Sequence, residues 1–135
     1  ALYGAPRTRP GPREPSLRRA RVCYDHLAGE IGVAVFDRLL AARWLEQSGR
    51  ALAVTAIGRH GLAGLGIDVE TLVGGRRMLC RPCLDWSVRR HHLAGALGAA
   101  LFDAILKEKW ARRERESRVI RFAQAGEQAL FAAIR

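Results

Sequence analysis

Lysine is almost missing from this sequence: of 23 basic residues, only Lys107 and Lys109 are not arginine. Acidic residues are scarce too, 13 against those 23, which leaves a formal net charge of +10. Such a balance favours polyanionic partners, although an arginine- and alanine-rich coding bias produces the same excess. Cysteine occurs three times, at Cys23, Cys80 and Cys83. That small odd number speaks against a disulfide scaffold and for a reducing, cytoplasmic setting. No apolar run approaches the roughly 18 residues a bilayer span requires, and no apolar h-region opens the chain. No membrane role is therefore expected. There is no glycine-rich phosphate loop, no Ser-His-Asp order and no paired-carboxylate pattern, so the sequence is read as a non-enzyme.

Proline is confined almost entirely to the start. Pro6, Pro10, Pro12 and Pro15 punctuate residues 1–15, and only Pro82 follows. Arg7, Arg9, Arg13, Arg18, Arg19 and Arg21 crowd the same region against Glu14. Proline removes amide donors and holds the backbone extended, so residues 1–17 read as a Pro/Arg-rich linker. A linker in that position leads us to expect a further domain before it.

What the sequence does contain is a phrase spoken twice. "HLAGEIGVAVFDRLLAARW" (residues 26–44) and "HLAGALGAALFDAILKEKW" (92–110) agree at ten of nineteen positions at an offset of 66. Upstream, "RVCYD" (21–25) answers "RPCLD" (81–85), with six extra residues, "WSVRRH", in the second copy. Downstream, Leu52, Gly58 and Leu62 answer Ile120, Gly126 and Leu130 at an offset of 68. This pattern indicates internal duplication. The expected division is repeat 1 over 18–75 and repeat 2 over 76–135, together forming one domain.

Apolar spacing predicts a long helix in each copy. One begins near Ser16, which is expected to cap it, and runs to about residue 45; the other spans about 87–110. "QSGR" (47–50) predicts a turn and "ALAVT" (51–55) a strand. Thr55 is expected to cap a helix over 56–65, and Asp68 a short one over "VETLV". "RRMLCRPCLDW" predicts an irregular or extended connector, 118–123 a strand, and 124–134 a last helix. The fold class is mainly α (α+β): two repeats, each a long helix, a short β-hairpin and a second helix.

Gly29, Gly32, Gly95 and Gly98 fall inside those long helices, where glycine costs on the order of 1 kcal/mol relative to alanine. Close helix packing is expected to offset it, with the two long helices crossing, or each meeting another helix, on their small-residue faces. Trp44, Trp110, Phe36 and Phe102 are expected to anchor the core.

The order of long helix, tryptophan, short strand and "T-x-x-G" helix start has the look of a winged helix. More specifically, "ARVCYDHLAGEIGVAVFDRLLAARWL", "LGIDVETL" and "RPCLDWSVRRHHLAGALGAALFDAIL" resemble the C-terminal half of bacterial ArsR-type winged-helix transcriptional regulators. The resemblance covers about residues 18–134. It implies a DNA-reading winged helix ahead of the linker, and a chain that acts as the effector-sensing or dimerisation half, contacting DNA through that preceding domain and forming a homodimer. It carries over no metal ligand.

Cys23, Asp25 and His26 in one copy, and Cys83, Asp85 and His92 in the other, bring together the ligand types for zinc or another soft metal. Cys80 and Cys83 add a C-x-x-C spacing, so these two are the candidate metal pair. The same residues fit purely structural roles: buried sulfurs, carboxylates capping the long helices, and half-buried histidines bonded to Asp25 or Asp85. A thiol redox switch remains a third reading. Tyr24 and Trp86 are candidates to floor a ligand pocket. His60 and His91 are expected to face solvent. Arg112, Arg113 and Arg115 sit where a winged helix carries its wing and are candidate phosphate contacts, with a solvated hairpin as the alternative. A structural docking module and a stand-alone nucleic-acid binder are the alternative functions.

Overall fold

The computed structural model describes residues 14–135. The Pro/Arg-rich stretch 1–13, and with it most of the linker reading, lies outside the described residues.

The chain does not start with a long helix. A five-residue helix, α1 (Pro15–Arg19), forms first, with Pro15 in its first turn and the Glu14 carboxylate accepting from Leu17 N. Glu14, not Ser16, is the cap. The backbone then becomes extended at Ala20 and forms a tight hairpin from β1 (Arg21–Cys23) and β2 (His26–Ala28). Tyr24 turns the corner at φ 58. Only then does α2 (Gly29–Ala41) begin. Strands of three residues are too short to display a two-residue period, so Tyr24, Leu27 and Ile31 merge with the true helix into one false helical stripe.

The next hairpin starts earlier than expected: β3 (Leu45–Ser48), read as a helix end and a turn, pairs with β4 (Ala51–Val54). Thr55 caps α3 (Ala56–Gly64), its hydroxyl oxygen accepting from Gly58 N at 2.9 Å, and Asp68 caps α4 (Val69–Val73). The second half again opens with a hairpin, β5 (Arg81–Asp85) and β6 (Arg90–Ala94), where a connector and the first two turns of a long helix were expected. α5 (Gly95–Lys107), the hairpin β7 (Ala111–Arg113) with β8 (Ile120–Phe122), and α6 (Gln124–Ala133) complete the chain. The described residues thus form an α+β structure of six helices and four two-stranded antiparallel sheets. Each half, after its first turn or connector, runs hairpin, helix, hairpin, helix.

The halves are interleaved. α2 packs on β6, α5 packs on β2, and β2 lies beside β6. Ile31, Val35 and Leu39 from α2 enter the same core as Leu97, Leu101, Phe102 and Ile105 from α5, with Leu27 and Leu93 from the hairpins beneath them. Each fully buried side chain of this kind stabilises by about 1.5–3 kcal/mol. β1 also reaches the far end of the chain: Val22 N donates to Arg118 O at 2.9 Å, and Ile120 N to Ala20 O at 3.1 Å.

The four helix glycines are buried, Gly29 against the end of the short helix α1 and Gly95 against the backbone of Met78 and Leu79, and the atoms nearest all four come from outside the other long helix. Gly29 and Gly95 open their helices at φ +86 and +84, a left-handed conformation that side chains rarely adopt. Gly32 and Gly98 allow a close approach of a different kind. A Cβ on Gly32 would lie 2.7 Å from Leu27 O, with His92 Cβ at 3.6 Å. A Cβ on Gly98 would lie 2.5 Å from Leu93 O, with His26 Cβ at 3.4 Å. The expectation of crossing long helices is therefore corrected: each helix presses its bare turn onto the hairpin preceding it, and the space so released admits a histidine of the opposite half.

Gly32→Ala and Gly98→Ala should each lower stability by about 1–3 kcal/mol in urea unfolding, because backbone must move to admit the methyl group. Gly64→Ala, at the end of α3 with nothing within 4 Å of its Cβ, should be neutral or slightly stabilising.

Candidate functional site

Cross-strand register brings the conspicuous residues together. Cys23 pairs with His26 across β1 and β2, and Cys83 pairs with His92 across β5 and β6. Directly opposed residues present their side chains on the same face of a hairpin. Each hairpin therefore offers one sulfur and one imidazole side by side. The adjacency of β2 and β6 faces the two offers toward each other. The ligand-type atoms of Cys23, His26, Cys83 and His92 all lie within 4.8 Å of one another. His26 Nε2 and His92 Nε2 are 3.0 Å apart, with both rings buried. These four residues could hold a metal ion.

Both rings are oriented from behind. His92 Nδ1 lies 3.0 Å from Asp85 Oδ2, and His26 Nδ1 lies 3.3 Å from Asp25 Oδ1. The expected histidine–carboxylate bonds are thus present in both copies. The two aspartates nevertheless differ, because of the six extra residues. In the first hairpin two residues separate Cys23 from His26. In the second, the ladder continues through Leu84↔His91 and Asp85↔Arg90 before a four-residue turn. Asp25 therefore sits in a turn, half-exposed, and pairs with Arg77 at 2.6 Å. Asp85 sits on a strand, 0% exposed.

Asp85 is saturated. Its Oδ1 accepts from Ser87 Oγ at 2.6 Å, Ser87 N at 3.0 Å, Val88 N at 3.1 Å and Arg21 Nη2 at 3.4 Å. Its Oδ2 accepts from Gly29 N at 2.5 Å as well as facing His92. Arg21 is itself buried and donates to Leu17 O and Ser87 Oγ. The expectation that each aspartate caps its own long helix is corrected: Asp85 binds the first amide of α2 in the other half, and Asp25 caps no helix.

These surroundings set the ionisation. Burial pushes the Asp85 carboxyl up, but His92, Ser87, the Gly29 amide and Arg21 outweigh it and hold it far below the usual carboxylate range. Burial likewise raises Asp25, while Arg77 and His26 bring it below its ordinary value. Burial depresses His92, but Asp85 and Cys23 more than reverse this and leave its pKa raised. Hydrogen bonding to His26 and then His92 draws the Cys23 thiol down to about 6. Burial, and then the neighbouring Cys23, raises Cys83.

The other sequence candidates are placed elsewhere. Cys80 is not in the cluster; its sulfur is buried in the core, where desolvation lifts its pKa to about 11. Its counterpart Ala20 is buried in that same core. The structure thus brings Cys83 to Cys23 rather than to Cys80, because Cys80 precedes β5 and is buried in the core, while strand register sets Cys83 opposite His92. Tyr24 (89% exposed) and Trp86 (51% exposed) occupy hairpin turns and floor no shared pocket; Arg89 stacks over Trp86 instead. His60 and His91 are exposed, as expected. Arg112, Arg113 and Arg115 are exposed on β7 and the turn after it, with Arg113 over the Phe102 ring. Sequence reading missed Arg21 and Ser87 as partners of Asp85; only the repeat of "R-x-C-x-D" hinted at Arg21.

This chain is 44% identical over 110 residues to the uncharacterized HTH-type transcriptional regulator YdfF of Bacillus subtilis (strain 168). The alignment takes in 82% of this chain and 49% of that protein, so the chain spans about half the length of the curated relative it matches. No protein-family model matches the chain, and no solved structure matches it. No helix among the described residues is long and apolar enough to cross a membrane.

Asp85→Ala should cost about 3–5 kcal/mol in urea unfolding, since it leaves Arg21 buried without its partner. The low folded pKa of Asp85 also fixes a direction with pH. Its contribution is complete above roughly pH 5, and is lost as pH falls through and below the ordinary carboxylate value near 3.9. Urea midpoints measured across that range should fall more steeply for the native protein than for Asp85→Asn. In metal-free protein, the rate of Cys23 alkylation by iodoacetamide should reach half its maximum at a pH of about 6. His26→Ala should move that midpoint upward, and Cys80 should stay unmodified until the protein unfolds.

Proposed function

We propose that this chain is the effector-sensing and dimerisation half of an ArsR-type, helix-turn-helix transcriptional regulator, built from two winged-helix-like repeats. The likeness to an HTH-type regulator over 82% of the chain supports the regulator class. The single observation that carries the sensing role is the Cys/His cluster, with both imidazoles buried and both sulfurs half-buried, to which each half contributes one sulfur and one imidazole. A signal that binds or modifies this cluster acts on both hairpins at once. α2 rests on β6 and α5 on β2, so moving one hairpin against the other tilts the long helices. Across a homodimer, that tilt changes the spacing of two DNA-reading heads. The heads read bases, while arginines such as Arg7, Arg9 and Arg13 add salt-dependent phosphate attraction. No step in this scheme is catalytic, and its setting is the cytoplasm.

A second reading, a dimerisation or docking module without sensor chemistry, draws support from the saturation of Asp85, which is what a purely structural seam requires. Wing-like use of the β7–β8 turn has less support, since Glu114 there is paired with Arg121.

Sedimentation equilibrium should give a dimer at micromolar concentration. Fluorescence anisotropy should show the chain binding random and selected duplexes alike, weakening steeply between about 50 and 200 mM salt. Selection of one defined operator by this chain alone would overturn the proposed division of labour. A monomer at all concentrations would overturn the dimer.

A further inference from the structure

We propose that Cys23, His26, Cys83 and His92 form a tetrahedral site for a thiophilic divalent cation of the zinc class, which clamps the first hairpin to the third. Four observations converge on it.

The first is the donor set. Two sulfurs and two imidazole nitrogens lie within 4.8 Å of one another, from positions that strand register fixes. Metal bonds of 2.0–2.3 Å in a tetrahedron place such donors about 3.3–3.8 Å apart, so small side-chain rotations complete the geometry. The second is the direction of the lone pairs. Both Nδ1 atoms face carboxylates, Asp85 at 3.0 Å and Asp25 at 3.3 Å. With protons placed there, the Nε2 of each ring is the nitrogen left to face the cluster, and the two stand 3.0 Å apart, a distance that one shared proton bridges in the metal-free protein. A cation bound to both nitrogens takes that proton's place. Carboxylate behind imidazole is also the arrangement that orients metal-bound histidines.

The third is charge. Asp85 is matched by Arg21, and Asp25 by Arg77. What remains for the cation is two cysteine sulfurs, and two thiolates balance a charge of +2. On binding, two metal–sulfur bonds and two metal–nitrogen bonds form, and the protons carried by the thiols and by the imidazole Nε2 atoms pass to solvent. The fourth is softness: a mixed S₂N₂ tetrahedron suits zinc, whereas oxygen-seeking magnesium or calcium finds no oxygen among these four ligands. All four positions are taken by protein, so the site is closed, with no coordination place left for a substrate.

The site stands on this geometry alone. It rests on the regulatory reading only where the metal is taken as the signal, and the DNA measurements above can fail without it. The test uses the full chain purified without chelators. Elemental analysis should find about one zinc per chain. Cobalt loaded in place of zinc should give the visible absorption of a tetrahedral ion together with a sulfur-to-cobalt charge-transfer band. Cys23→Ser and Cys83→Ser should each weaken binding at least about 100-fold, and Cys80→Ala should leave it unchanged. Asp85→Asn should weaken it about 10–100-fold, as expected for a residue that only positions His92. Cadmium-113 resonance on the unmutated protein reports the two-sulfur ligand set directly, so a variant that fails to fold does not decide the matter. Substoichiometric zinc that chelating resin removes at once, an octahedral cobalt spectrum, equal loss in Cys80→Ala, or a Cys23–Cys83 disulfide in the purified protein would each overturn the proposal.

Discussion

A carboxylate without water must find every hydrogen bond inside the protein, and Asp85 finds them in both halves of the chain. Its own turn supplies Ser87 and Val88, while the other half supplies Arg21 and the leading amide of α2. That amide sits at the positive end of the helix, where an anion is favoured. Moving the halves apart therefore exposes more than apolar surface. It parts the buried carboxylate and imidazole of one half from the guanidinium and helix amide of the other, and breaks the hydrogen bonds that satisfied them. The placement of His92, and through His92 the meeting with His26, follows from this one buried anion.

The second hairpin of matching sequence is not a copy in its details. Six additional residues lengthen β5 and β6 beyond the Cys83–His92 pair, and that extension lets Asp85 fold back beneath His92. Asp25 has no such arm and stays near the surface beside Arg77. One histidine is thus held by a rigid, saturated partner and the other by an exchangeable one. The pair is alike in sequence and unequal in firmness.

Much of this was legible in the residues. Gly32 and Gly98 announced a close approach, Thr55 and Asp68 announced helix starts, and Cys23, His26, Cys83 and His92 stood out as a doubled set. The short strands were not legible: three-residue runs such as "RVC" and "HLA" carry too little pattern to separate them from the helix that follows. What Gly32 and Gly98 press upon was hidden for the same reason, because the partner is a hairpin carbonyl rather than another helix. The choice of Cys23 over Cys80 as companion of Cys83 depended on register, which sequence spacing alone does not reveal. Arg21 was obscured by its place in an arginine-rich stretch, where charge reads as solvated.

The exchange of helices between halves also shapes how the chain becomes folded. The apolar face of α2 is covered by β6, and His26 meets a residue 66 positions later. At a synthesis rate of about 5–20 residues per second, that partner leaves the ribosome several seconds after its mate. During the interval the first half has an uncovered flank and no route to closure by itself. Loop closure over such a distance is entropically slow, so folding is expected to proceed as one late, concerted docking rather than repeat by repeat.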